Sequence, residues 1–267
     1  MGEGERYIDV AGAQLRIRCV GCGPALVLVH GWALDLDMWT PQFAELSSAH
    51  RVIAFDRRGF GRSIGAPSMG RDAEDLLFLL DVLCVERASI LGMSQGARAA
   101  LQAALRSPER IACLILDGPP NLAADESAEL PMDCYRELVR TAGVEAFRRE
   151  WLRHPFTRLC TQDSTRRELL KSIVARYPAA DLLIAAEGDD AALAQSDLAR
   201  IAAPVLVVNG ADDLPTRRAA GLQLTHMLDT AVHTLIPDAA HLPNLDNPAA
   251  YNRVLGDFLN EHYAKAP

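Results

Sequence analysis

The stretch Ser89 to Leu105 holds the pentapeptide Gly92-Met93-Ser94-Gln95-Gly96, with a short apolar run before it and alanine-rich, helix-forming sequence after it. The bare G-x-S-x-G pattern arises by accident in roughly one chain in ten of this length. A strand leading in and a helix leading out are what chance does not supply. A strand that turns sharply into a helix forces its turn residue into a strained conformation, tolerable where the residues two before and two after carry no Cβ to collide. Gly92 and Gly96 meet that demand. Such a bend projects the Ser94 hydroxyl above a sheet, at a helix N-terminus whose unpaired N–H groups stabilise negative charge. Ser94 is therefore read as a nucleophile. The alternative is an ordinary turn whose serine only caps the helix.

The surrounding pattern alternates between strands and helices. Tyr7 to Val20 reads as a hairpin of edge strands, bent at Ala11-Gly12-Ala13. Ala25–Val29 is a continuous β-prone run suited to a strand covered on both faces. Further strands are expected at 51–55, 89–93, 113–116, 205–209 and 232–236, and helices at 41–46, 72–83, 216–228 and 248–262. This order predicts an α/β fold: a mostly parallel, doubly wound sheet of about eight strands with helices on both faces and right-handed crossovers. Between 121 and 197 the alternation lapses into helices (132–142, 145–153, 165–177 and 189–196) carrying Tyr135, Phe147, Trp151, Phe156 and Tyr177 among dense Arg and Glu. The reading is one core built from 1–120 and 198–267, with a helical cap, 121–197, inserted over the sheet's active edge. At 267 residues, 49% of them apolar, the chain is long enough to bury such a core.

A formal net charge of −8, spread along the chain, argues against nucleic acid or anionic membrane as partners. The N-terminus has no apolar segment behind a basic start, and no apolar run is long enough to span a bilayer, so a cytoplasmic protein is expected. The six cysteines, Cys19, Cys22, Cys84, Cys113, Cys134 and Cys160, are then read as reduced thiols. Cys19-x-x-Cys22 lacks a second pair, and no metal or cofactor is expected. An exposed cap or edge strand could pair two copies of the chain into a homo-oligomer.

A serine hydroxyl needs a general base to take its proton, and an acid to hold that base in the right tautomer. His241 sits just past the last expected strand, where it can swing over the sheet edge toward Ser94. His226, His233, His50, His154 and His262 lie in a helix, in a strand, before turns or Pro, or near the tail. Asn209-Gly210-Ala211-Asp212-Asp213 follows the preceding strand, and either aspartate can reach the imidazole. Asp213 is taken as the acid, with Asp117, also at a strand end, as its rival. The oxyanion formed by attack on a carbonyl needs donors. The backbone N–H groups of Gln95 and Trp32 are the candidates, and His30 is read as shaping the Trp32 loop. Trp32, Met93, Trp151 and Phe156 are the expected lining of an apolar substrate pocket.

Five elements, His30-Gly31-Trp32, Asp56-x-Arg58-Gly59-x-Gly61-x-Ser63, Gly92-x-Ser94-x-Gly96, Gly210-x-x-Asp213 and Ala240-His241-Leu242-Pro243, recur in an order that resembles the α/β-hydrolase fold family almost end to end. The resemblance implies nucleophile Ser94, acid Asp213, base His241, an oxyanion hole from Trp32 and Gln95, and a structural role for Asp56 to Ser63. Among family members the chain is most similar to small esterases, enol-lactonases and cofactor-free haloperoxidase or perhydrolase relatives with a short helical cap. Gln95 stands where the family often has Met, and Ala97-Arg98 replaces a commoner glycine. The expected function is hydrolysis of a small carboxylic ester or lactone through a covalent acyl-enzyme on Ser94. Perhydrolysis or C–C bond hydrolysis with the same triad is the alternative, as is a receptor-like binding module with little turnover.

Overall fold

The fold, obtained as a computed structural model, is described for residues 4–121, 129–184 and 193–263. Its strands are β1 (Gly4–Val10), β2 (Ala13–Val20), β3 (Ala25–Val29), β4 (Arg51–Phe55), β5 (Ile64–Gly65), β6 (Ala88–Met93), β7 (Ile111–Asp117), β8 (Val205–Gly210) and β9 (Ala231–Ile236). They form one nine-stranded sheet in the order β1-β2-β4-β3-β6-β7-β8-β9, with β5 beside β2. Pairings from β4 through β3 to β9 are parallel, and those of β2 with β1, β4 and β5 are antiparallel. The ninth strand is β5, two residues following the glycine-rich turn, where Gly65 at φ 129° lets the backbone close on Ala13. Only β1 of the first hairpin is an edge, because β2 also pairs with β4.

The helices are α1 (Thr40–Leu46), α2 (Met69–Val82), α3 (Gln95–Arg106), α4 (Met132–Ala142), α5 (Val144–Trp151), α6 (Ser164–Arg176), α7 (Ala180–Leu183), α8 (Gln195–Leu198), α9 (Pro215–Met227), α10 (Pro243–Asp246) and α11 (Pro248–Tyr263). Half of the expected helix at 189–196 falls outside the described residues, and α8 begins in the described half, at Gln195. Among the described residues no helix is long and apolar enough to cross a membrane.

Side chains of a strand alternate between faces, and the two cores follow that alternation. Ala25, Val27, Val29, Ile90, Val205 and Val207 pack with residues of α2, α3 and α9. Leu26, Leu28, Leu91, Met93, Leu206 and Val208 point the other way, toward α1 and α11. The second core continues without a break into the helices between β7 and β8, through Tyr135, Phe147, Trp151, Phe156, Ile173 and Tyr177. Those helices are also fastened by charge. Arg176 of α6 donates to Asp35 at 2.9 Å and to Asp37 at 2.8 Å. Arg166 reaches the carbonyls of Leu245 and Asp246, both at 2.9 Å. Apolar burial supplies most of the docking energy, and the ion pairs fix its register.

Candidate active site

At the end of β6, Ser94 adopts φ 51° and ψ −115°, a left-handed-side conformation that costs a non-glycine residue on the order of 1–3 kcal/mol. The neighbouring backbones explain the two glycines. A Cβ on Gly92 would lie 2.2 Å from the Gly96 oxygen, and one on Gly96 would lie 2.3 Å from the Val29 oxygen. The bend is held by the Ser94 N–H donating to the Asp117 carbonyl at 2.8 Å and the Ala97 N–H donating to the Ser94 carbonyl at 2.9 Å.

His241 lies in the loop between β9 and α10, buried. Its Nδ1 is 3.1 and 3.2 Å from the two oxygens of Asp213. A nitrogen facing a carboxylate carries the proton, which leaves the Nε2 lone pair as an acceptor. Burial pulls the Asp213 carboxyl up. The adjacent imidazole, the Leu214 N–H at 2.8 Å and the Asn209 amide at 3.4 Å outweigh that pull and hold it below the ordinary carboxylate range. Asp212 next to it is exposed in the turn. The rival carboxyl, Asp117, is fully buried, and burial, with the negative Asp213 nearby, pushes it well above its ordinary value. Its Oδ2 accepts from the Tyr251 hydroxyl at 2.9 Å, while Asp213 takes the histidine. Asn209 is a site residue that sequence reasoning passed over. The signal was present, a polar side chain inside the apolar run Val205–Gly210.

The loop after β3 lies directly against the elbow, since a Cβ on Gly31 would come within 3.3 Å of the Ser94 Cβ. Among the described residues, the backbone N–H groups of Trp32 and Gln95 donate to no protein acceptor, the condition an oxyanion hole requires. His30 is fixed by the loop. Its Nε2 accepts from the Arg57 N–H at 2.9 Å, so Nδ1 is the protonated nitrogen and donates to the Gly31 carbonyl at 2.8 Å. Burial, then the Arg57 charge, pulls this imidazole down to about 3. Asp56 spends its oxygens on the N–H groups of Leu36 (2.7 Å) and Arg62 (2.8 Å), organising the turn to Ser63 from within.

Ser94 and His241 line one cleft, together with Trp32, Met93, Trp151 and Phe156. Leu34, Leu130, Thr157 and Leu242 complete it; Leu130 and Thr157 come from the helical stretch between β7 and β8, whose docking the sequence pattern does not give. Phe156, from the stretch between β7 and β8, stacks on His241 with centroids 4.3 Å apart. Arg98 is half-buried on α3, outside the cleft lining, and nothing in the structure explains it.

A strand–serine–helix elbow on a mostly parallel sheet, with a histidine–aspartate pair contributed by the two loops beyond it, defines the class, and residues 24–248 match the family model of the α/β hydrolase fold. The chain belongs to that family. It is 33% identical over 241 residues to a pimeloyl-acyl-carrier-protein methyl ester esterase of Pectobacterium carotovorum, covering 85% of this chain and 90% of the relative. Among solved structures it is similar to a thermophilic esterase from Thermogutta terrifontis, with a TM-score of 0.82, 26% identity, and 97% and 99% of the two chains covered. It is also similar to the enol-lactonase from Burkholderia xenovorans, with a TM-score of 0.80, 28% identity, and 96% and 100% covered.

Proposed function

We propose that the chain hydrolyses small carboxylic esters and lactones through a covalent acyl-enzyme on Ser94. The observation that carries this reading is the shared cleft of Ser94 and His241, with Asp213 on the far nitrogen of that histidine. The likeness to proteins named as an esterase and an enol-lactonase supports the bond type.

The Ser94 Oγ attacks the substrate carbonyl carbon as His241 Nε2 takes its proton, and Asp213 stabilises the imidazolium so formed. The carbonyl oxygen, now anionic, accepts from the Trp32 and Gln95 N–H groups, and removing one such donor costs about 3 kcal/mol of transition-state stabilisation. Collapse of the tetrahedral adduct breaks the ester C–O bond, and His241 returns its proton to the leaving oxygen. A water molecule, deprotonated by the same nitrogen, then attacks the acyl-serine and releases the acid. The apolar rings and aliphatic side chains around Ser94 suit an acyl group of modest size without charge.

Labelling with a fluorophosphonate probe followed by peptide mass spectrometry tests the nucleophile, with modification expected at Ser94. Folded protein left unmodified there would end the proposal. Turnover of a panel of esters and lactones separates a hydrolase from a binding module that keeps the same constellation, and His241→Ala is expected to abolish p-nitrophenyl acetate hydrolysis while the protein stays folded.

A further inference from the structure

We propose that Asp181, in the first turn of α7, is a positioning residue that pins the Trp32 indole and so sets the oxyanion-hole N–H of Trp32 from the cap. The inference rests on the proposed role of that N–H.

The loop that presents Trp32 is held on its core side, where His30 Nδ1–H donates at 2.8 Å to the Gly31 carbonyl of the same peptide group. The residue after Trp32, Ala33, has a left-handed φ of 55°, and the Trp32 N–H itself donates to no protein group among the described residues. The other handle on that peptide is the Trp32 side chain. The Trp32 indole sits among Tyr135, Phe147, Trp151 and Tyr177 with centroids 4.8 to 6.0 Å away. Aromatic packing of this kind prefers edge-to-face and offset arrangements, but it does not tie one ring atom to one partner atom. A charge-assisted hydrogen bond is not so permissive. The indole Nε1–H donates to Asp181 Oδ2 at 2.6 Å, across 149 residues of sequence. The other oxygen of Asp181 accepts from the Tyr177 hydroxyl at 2.5 Å, which fixes the carboxylate's own rotation. Ala179, fully buried at φ 57°, makes the turn between Tyr177 and Asp181. The docked cap thereby reaches the catalytic loop through one carboxylate, and the same indole lines the cleft.

A residue acting through another shows non-additivity, so the test is a double-mutant cycle with Asp181→Ala, which removes the acceptor, and Trp32→Phe, which removes the donor together with the fused ring. With wild-type protein that labels at Ser94 and turns over p-nitrophenyl acetate, Asp181→Ala is expected to lower kcat about tenfold with KM within about twofold. Affinity for a boronic acid, which forms a tetrahedral adduct on serine, is expected to fall by the same factor. Trp32→Phe should lose at least as much, and the double variant should be no worse than Trp32→Phe alone. Wild-type kcat in Asp181→Ala, or single losses that multiply in the double variant, would overturn the proposal. Should Asp181→Ala fail to fold, Trp32→Phe alone decides, because unchanged kcat there excludes a pinned indole. Wild-type protein that neither labels nor turns over ends the serine-hydrolase reading and this one together; active, labelled protein indifferent to Asp181→Ala ends this one only.

Discussion

Phe156 lies flat against His241, ring centroids 4.3 Å apart and planes 29° from parallel, while the Arg217 guanidinium covers the same phenyl ring at 4.6 Å. A residue from the helical stretch between β7 and β8 is thus one wall of the imidazole. In the proposed mechanism the imidazole turns only slightly to pass a proton between serine and leaving group, and a flat apolar neighbour limits it to that motion. Phe156→Leu keeps the volume and is expected to cost less than about 1.5 kcal/mol of stability. Turnover of p-nitrophenyl acetate by the same variant should fall about tenfold, since an imidazole free to tilt is misplaced for attack. Thermal melting and steady-state kinetics on one preparation check both halves.

Gly118 gives the other wall. Its φ is 52°, and a Cβ there would stand 2.9 Å from His241 Cε1 and 3.2 Å from Nδ1. Gly118→Ala is expected to push the ring off Asp213 and lower kcat by about a hundredfold or more, with a stability loss of about 1–2 kcal/mol from the left-handed backbone. Slower fluorophosphonate labelling of Ser94, measured beside an unchanged far-ultraviolet circular dichroism spectrum, would separate displacement of the base from loss of fold. A labelling rate equal to wild type would show that the histidine is not confined from this side.

What was readable in the sequence divides along the same line as these contacts. The elbow, the buried strands Ala25–Val29 and Arg51–Phe55, and the order of Ser94, Asp213 and His241 come from local rules: apolar periodicity, glycine where backbones cross, and chemistry at strand ends. Elements made by tertiary contact were not legible. Two-residue β5 exists because β2 offers it a partner, and α7 and α10 are single turns without a periodic signature. The aromatic residues of the insertion were evident as a group. Which of them meets His241 and which meets Trp32 is fixed by docking, to which Arg176 on Asp35 and Asp37 contributes, residues 139 to 141 positions apart. Asp181 follows the same logic, since a lone aspartate in a helical insertion reads as a solvated charge until a partner 149 positions away is known.

His30 carries a prediction about pH. Burial and Arg57 hold its folded-state value near 3, while the unfolded chain titrates near 6.5. Between those values the unfolded state binds a proton that the folded state refuses, so the contribution of this residue to stability is intact above about pH 6.5 and shrinks as pH falls toward 3. From neutral pH to about pH 5 the loss is on the order of 2 kcal/mol. Buried Asp35 and Asp117, with raised values, titrate with the opposite sign, so total stability is a poor readout. The difference between wild type and His30→Gln in urea midpoints across that pH range isolates the term, and the variant is expected to have the flatter acid-side slope. Parallel slopes would mean that His30 takes up a proton without unfolding.

Asp213 and Asp117 are carboxyl groups at adjacent strand ends whose pKa values are shifted in opposite directions, and the substitution to asparagine distinguishes them. Asp213 is held below the ordinary range and accepts from His241, and in the proposed mechanism it stabilises the imidazolium formed during attack. Replacing it with asparagine removes that charge and presents an amide that can flip to hold the wrong tautomer, so kcat is expected to fall by about 10³–10⁴. Asp117, pushed well above its ordinary value by burial, is bonded to Tyr251 and lies away from the imidazole nitrogen that Asp213 holds. Asparagine there keeps the shape and an oxygen to accept from Tyr251, and the expected change in kcat is less than about threefold. Steady-state rates of the two variants on one ester, at a pH where His241→Ala is inactive, decide the assignment. A larger loss in Asp117→Asn would transfer the role of acid to the end of β7 and require His241 to turn away from Asp213 before it can act.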